Sequence, residues 1–499
     1  MPRRKQISSL KSACMDSIAK HFDSYWCCGD NAVLFDTPRL MYVIGPFEHL
    51  SDDLLQQLIQ RLVEKKLLQR HHFQLLIHSQ LKSLNLGICD ASANHSSVID
   101  MIATRCQNLT SLNISRVKNV QPKVLCGLIS SLPLIKSLNL DNTKCDDKAM
   151  LCIAKTCRQL KDLSISGCLV RDKGVLHMCS EAACPELVSF NIGSNHVAPD
   201  SVATLLQCRS KLVFLGYPDL CAALEVLYKD TFRSGDNVPP HQWHKLTVLT
   251  GTGLDSGAVL EQSIELSVAY CPFVTQVRLF QLLNTQHLSH LSQLQHMRTL
   301  EIGCESGNFV AGIAPLLVSM GHNLLSLSLH GICDVDLLLL GQCCKNLRKL
   351  HLSLPEMRQN STGTYMSAVN SNTSSFSKLK ELCFIFSSDS DEYNLSEDIM
   401  KLIFINMTNI VSIHMYNVHS LNDAVITAAV EKHGFPCLER LYTELCDSLT
   451  SESAFLLMDC DNPLRDIAFH NCSCISLQDI HCLKSRCRAQ NLQVQLSWE

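Results

Sequence analysis

An α/β repeat solenoid, with a parallel sheet on its concave side and helices on its convex side, is the fold the sequence predicts, and three observations predict it. One short apolar pattern returns along most of the chain, helix-forming stretches separate its copies, and the composition supplies enough apolar side chain to fill a long core. Of 499 residues, 46% are hydrophobic and 18% charged, the proportions of a folded chain. Length alone would suggest about three domains, but that prior fails where one unit is repeated.

The pattern is L-x-x-L-x-L. It stands at Leu81 (LKSLNL), Leu109 (LTSLNI), Ile135 (IKSLNL), Leu160 (LKDLSI) and Leu187 (LVSFNI), at intervals of 25 to 28 residues. It resumes at Val274, Met297, Leu324, Leu347, Leu379, Ile410 and Leu464, with weaker copies at Leu212, Leu246 and Leu438. In Leu138-Asn139-Leu140 the two leucines point one way and the asparagine the other, as a short strand requires. Between strands, stretches such as Lys148 to Cys157 carry Met150, Ile153, Ala154 and Cys157 at helical spacing. Period and pattern are those of leucine-rich repeats. A single strand-turn-helix unit cannot bury its own apolar face, so the units must stack.

The 27 cysteines belong to this repeat. No apolar segment follows the basic start, and no run of about 18 apolar residues occurs, so neither a secretory signal nor a membrane span is expected. A cytoplasmic or nuclear protein keeps its thiols reduced. Cysteine precedes the strand at Cys106, Cys157, Cys184, Cys271 and Cys344, and follows it at Cys89, Cys168, Cys304 and Cys472. A recurrent phase implies a recurrent packing slot. His470, Cys472, Cys474, His481, Cys482 and Cys487 crowd a short span, but Cys472 and Cys487 sit at repeat phases and paired C-x-x-C spacing is missing. The expectation is an ordinary terminal repeat, with no metal and no cofactor. On these phases the chain resembles the cysteine-containing, ribonuclease-inhibitor-like subclass of leucine-rich repeats, common in ubiquitin-ligase substrate receptors; the resemblance covers roughly residues 76–499. A net charge of −4 without single-sign blocks points to protein partners rather than nucleic acid or membrane. Loop insertions are expected near 217–244 and 355–378, on their turn-forming and polar composition.

Residues 1–75 lack the repeat. Leu10, Cys14 and Ile18, continued by Phe22, form one apolar stripe down a helix. Further on, Ser51 can cap a helix whose first turn holds Asp52 and Asp53, with Leu54, Leu58 and Leu62 on one face and Leu55 and Ile59 beside them. The first stripe resembles the elongin-binding BC box, and the two segments together resemble a VHL box, the BC box plus cullin box that heads leucine-rich-repeat receptors such as the Zyg family. That resemblance implies a small helical cap whose Leu10, Cys14, Ile18, Leu50, Leu54, Leu55 and Leu58 bind the adaptor, with elongin B/C and cullin-2 as partners. The family's proline three residues before the first leucine is Phe47 here, with Pro46 one place early, which leaves the cullin open. The armadillo-like half of the Zyg receptors has no counterpart in this sequence, so what it recognises does not carry over.

Two other readings stay open. LSDDLLQQLIQRL followed by repeats also resembles an F-box, which implies Skp1 and cullin-1. A ligase-independent binding solenoid needs residues 1–75 only as a cap. No Gly-rich phosphate loop, H-E-x-x-H helix or G-x-S-x-G elbow occurs, so an enzyme is not expected. The residues between strand leucines face the concave surface and change along the chain. Asn85, Asn113, Asn139, Ser164 and Asn191 are small and neutral, whereas Glu301, Lys349, His351, Glu381, His414, Arg440 and Tyr442 are charged, imidazole or aromatic. Binding hot spots favour the second kind, which places a protein substrate at Lys349, His351, Glu381, His414, Arg440 and Tyr442.

Overall fold

The computed structural model describes residues 9–27, 46–89, 96–233, 244–252, 257–283, 285–354, 375–387 and 395–499. The chain forms two compact units, Ser8–Val248 and Leu249–Glu499. This division differs from the expected boundary at residue 75, because the amino-terminal helices share a core and hydrogen bonds with the first repeats.

In Ser8–Val248, strands β1 (Ser83–Asn85), β2 (Ser111–Asn113), β3 (Ser137–Asn139), β4 (Asp162–Ser164), β5 (Ser189–Asn191) and β6 (Phe214–Gly216) make a six-stranded sheet in sequence order. Its strands pair parallel and in register, Leu84 beside Leu112 beside Leu138 beside Leu163 beside Phe190 beside Leu215. The repeat leucines fill the core: Leu81, Leu84 and Leu86 of the first copy and Ile135, Leu138 and Leu140 of the third are all buried. Each strand asparagine turns the chain. The Oδ1 atoms of Asn85, Asn113, Asn139 and Asn191 accept the N–H two residues on, at 2.9–3.1 Å, an Asx turn that ends the strand and starts the climb to the helix.

The helices begin where capping chemistry starts them. Asp146 accepts from two backbone N–H groups at the head of Asp147–Thr156, and prolines open Pro122–Ser130 and Pro199–Cys208. The strand-preceding cysteines end the helical stretches: Cys106, Cys157, Cys184, Cys271 and Cys344 are at most 1% exposed. Burial pushes the thiols of Cys106, Cys157 and Cys344 up to about 12, so they pack as small hydrophobes. The described cysteines are free thiols. The insertion expected near 217–244 opens with a helix, Leu220–Arg233, packed on Pro199–Cys208; residues 234–243 lie outside the described residues. So do residues 355–374 of the second insertion, after which 375–378 form a turn.

The amino-terminal helices are α1 (Leu10–Lys20), α2 (Phe22–Trp26) and α3 (Asp52–Glu64). α3 closes the open edge of β1. Asp52 Oδ2 accepts from the N–H groups of Lys82 and Ser83 at 3.0 and 2.7 Å. One turn on, Gln56 receives the Asn85 N–H at 3.0 Å and donates to the Asn85 carbonyl at 2.8 Å. Two side chains thus replace a missing strand on a ladder that would otherwise be an aggregation edge.

In Leu249–Glu499 a ten-stranded sheet runs in order through β7 (Val248–Thr252), β8 (Gln276–Leu282), β9 (Thr299–Asn308), β10 (Ser326–Cys333), β11 (Lys349–Leu354), β12 (Glu381–Phe386), β13 (Ser412–Tyr416), β14 (Arg440–Glu444), β15 (Asp466–His470) and β16 (Gln495–Trp498). Strands β8 to β14 have five to ten residues, longer than the three-residue strands of the first unit. Leu300, Leu327, Leu350, Leu382, Ile413, Leu441 and Ile467 form one buried row beneath this sheet. After His330 the register shifts at Gly331, whose φ of +69° suits glycine, and a Cβ there would meet the Cys304 carbonyl.

Candidate functional site

Two surfaces offer chemistry to a partner, one on each unit. The first is the outer side of α1. Ser9 caps this helix by accepting from Ser12 N–H. Met15, Ala19 and the following Phe22 are buried, and Phe22 stacks on Phe47 with centroids 5.3 Å apart. Arg61 donates to Ser12 Oγ at 3.2 Å, and Lys65 pairs with Asp16 at 3.1 Å. With that face committed, Leu10 is left 82% exposed, Cys14 is exposed and Ile18 half-buried. Phe22, read from sequence as continuing the stripe, belongs to the buried face instead.

The second expected helix behaves differently. Leu50 and Leu54 are half-buried, but Leu55 and Leu58 are 1% and 0% exposed, with Ile59 and Leu62 equally buried. The adaptor-binding role read for Leu55 and Leu58 is corrected here. Their side chains fill the chain's own core beneath the edge-capping helix, where no adaptor reaches them.

The second surface lies on β8 to β14. Strand alternation sends one set of residues into the core and the other outward, and parallel register lines the outward set into rows. One row runs Lys349, Glu381, Ser412, Arg440; the next runs Arg278, Glu301, Ser328, His351, Cys383, His414, Tyr442. Lys349, His351, Glu381, His414 and Arg440 line a single groove of about 390 Å³, and Tyr442 stands edge-on to His414 at 6.3 Å. The six residues picked from sequence are therefore brought together. Register adds Arg278, Ser328 and Cys383, which stand between strand apolar residues as the chosen positions do but were not among the six; His330 follows Leu329 and occupies the next outward position.

Charge in the groove is mostly self-neutralised. Lys349 pairs with Glu381 at 2.8 Å and Arg278 with Glu301 at 3.3 Å. His351 and His414 line the groove: His330, beside it, meets His351 edge-on at 4.8 Å and shares a 2.9 Å hydrogen bond with Ser328 Oγ, while Cys383 Sγ is 3.7 Å from His414 Nδ1. Burial lowers the pKa of His330 and His351, the latter helped by the neighbouring imidazoles, and pushes the Cys383 thiol up to about 11. These shifts favour the neutral rings of His330 and His351 and the protonated Cys383 thiol. Among the described residues, the buried His351 Nε2 and Arg440 Nε have no hydrogen-bond partner, and such polar groups are costly unless something meets them.

The carboxy-terminal cysteines and histidines stay apart. Cys472 is buried, its thiol directed at the Thr443 and His470 carbonyls. Cys474, His481 and Cys482 are exposed.

Parallel strands stacked in sequence order, each with its buried leucines and returning helix, define a leucine-rich-repeat protein. No family model matches the chain. Over 85 residues, 17% of its length, it is 31% identical to F-box/LRR-repeat protein 4 of Bos taurus, a match that spans 14% of that relative. Among solved structures it is similar to a chain of the yeast Rad7 and Elc1 complex, with a TM-score of 0.46 and 16% identity over 95% of this chain and 96% of that one. It is also similar to an internalin of Listeria monocytogenes, with a TM-score of 0.40 and 11% identity over 70% and 88% of the two chains. Among the described residues, no helix is long and apolar enough to cross a membrane.

Proposed function

We propose that this chain is the substrate-recognition subunit of a cullin-RING ubiquitin ligase of the cullin-2 type, docking elongin B/C through α1 and holding a protein substrate in the groove of β8 to β14. Its role is binding, not catalysis. The observation that carries the reading is the exposure of Leu10 and Cys14 on a helix whose other face is fully committed. A leucine 82% exposed on an ordered helix is an anchor for a pocket on another protein, and the small Cys14 one turn on permits close approach. The F-box reading is less well supported, because the leucines it would offer to Skp1 are largely inside the chain.

The test is a pull-down of the wild type and a Leu10→Ala, Cys14→Phe variant from cell extract, probed for elongin B/C, cullin-2, cullin-1 and Skp1. Elongins recovered by the wild type and lost in the variant support the proposal. Skp1 recovered equally by both, or neither adaptor recovered, overturns it in favour of an F-box receptor or a ligase-independent binding protein.

A further inference from the structure

A second cluster lies beneath the amino-terminal helices and serves neither surface. α2 sets Asp23 and Cys27 one helical turn apart, the Cys27 N–H bonded to the Asp23 carbonyl at 3.0 Å. The short turn Arg70–His72 brings two imidazoles against them. One possible ligand atom from each of Asp23, Cys27, His71 and His72 lies within 4.8 Å of the others. A tetrahedral zinc shell, with Zn–N of about 2.0 Å and Zn–S of about 2.3 Å, places its ligand atoms roughly 3.3–3.7 Å apart, so these groups need close by no more than roughly 1.5 Å to reach that spacing.

Hydrogen bonding assigns the two histidines different roles. The Gln69 N–H donates to His72 Nδ1 at 3.2 Å, so that nitrogen carries the lone pair and the ring's proton sits on Nε2. His72 Nε2 therefore donates to Asp23 Oδ1, 2.7 Å away. His72 is fully buried and acts as a positioning residue that aims the carboxylate. His71 Nε2 reaches the same oxygen at 2.9 Å from the half-buried side of the cluster, where a cation can take the place of the proton between them. We propose that Asp23, Cys27 and His71 bind a divalent metal of the zinc class, with His72 orienting Asp23 and a fourth position left for water. Carboxylate, thiolate and imidazole are donors zinc accepts together. Binding releases the Cys27 thiol proton to solvent and ties α2 to the Arg70–His72 turn, beneath the helix that presents Leu10.

The full chain, freed of metal by a chelator, is titrated with Co²⁺ and then with Zn²⁺. The proposal predicts a near-ultraviolet thiolate-to-cobalt band in the wild type, discharged by zinc. Cys27→Ser and His71→Ala remove the band and lower uptake by one metal per chain, which sets this site apart from the other thiols. His72→Gln keeps the stoichiometry and weakens affinity by about 10–100-fold. Cys27 and His71 are only half-buried, so metal-free unfolding of their variants should match the wild type. A band of equal strength in Cys27→Ser, or no band in any form, overturns the site and leaves a hydrogen-bonded Asp–His–His cluster.

Discussion

Arg209 stands where neighbouring repeats have a strand-preceding cysteine, three residues ahead of Leu212. It is 9% exposed and donates to the carbonyls of Met178 and Ser180 at 2.5–2.7 Å and to that of Ala183. A guanidinium has the donors for several carbonyls at once, so one side chain ties the end of the preceding repeat. Arg209→Ala should cost about 2–3 kcal/mol, because several buried carbonyls lose their donor; Arg209→Cys, which restores the usual residue, should not recover it. Urea unfolding of both variants checks this. The two leucine positions of the amino-terminal segment make a sharper contrast. Leu58→Ala should cost about 2–5 kcal/mol as a buried truncation, and Leu10→Ala should change stability by no more than about 0.5 kcal/mol as a surface one. Equal losses at both positions would contradict the assignment of Leu10 to the outside.

At the scale of elements, α3 was legible as a helix but not in its role. Ser51, Asp52 and Asp53 announce its start, and Ser51 does accept from Leu54 N–H. What the local pattern conceals is that Asp52 and Gln56, one turn apart, face β1 and complete its ladder. That pairing joins residues about thirty apart in sequence, so no local motif encodes it. Asp52→Ala leaves the Lys82 and Ser83 N–H groups to water and should destabilise the first unit by about 0.5–1.5 kcal/mol, with faster hydrogen exchange at those two amides as the reading that locates the effect. The strands themselves were almost wholly legible, since L-x-x-L-x-L marks both the buried positions and the outward one. The groove was legible in part. Lys349, His351, Glu381, His414, Arg440 and Tyr442 stand out by size and charge, and Arg278 occupies the same repeat position, whereas His330, beside His351, is found only through register.

At the scale of the whole molecule, repetition supplies the frame and the departures from it supply the surfaces. Short strands ending in asparagine leave the first sheet with small side chains that bond their own turns. Longer strands in Leu249–Glu499 leave outward positions free to carry a groove. The half-buried imidazoles on this sheet predict a pH response. The folded-state pKa values of His330 and His351 lie below the ordinary 6.5. Above that pH both folded and unfolded chains are neutral at these sites and the stability is fully present. As pH falls through 6.5 toward the folded values, the unfolded chain takes up protons that the folded one resists, and stability declines. The urea midpoint should therefore drop between about pH 7.5 and about pH 5.5, and less steeply in His351→Gln. The central claim is that the α1 surface exists to hold an adaptor. Calorimetric titration of purified elongin B/C into the full chain tests it most directly. The account predicts a one-to-one complex, lost in Leu10→Ala, Cys14→Phe while the unfolding midpoint stays unchanged. No heat of binding to the wild type, or equal binding by the variant, would contradict it.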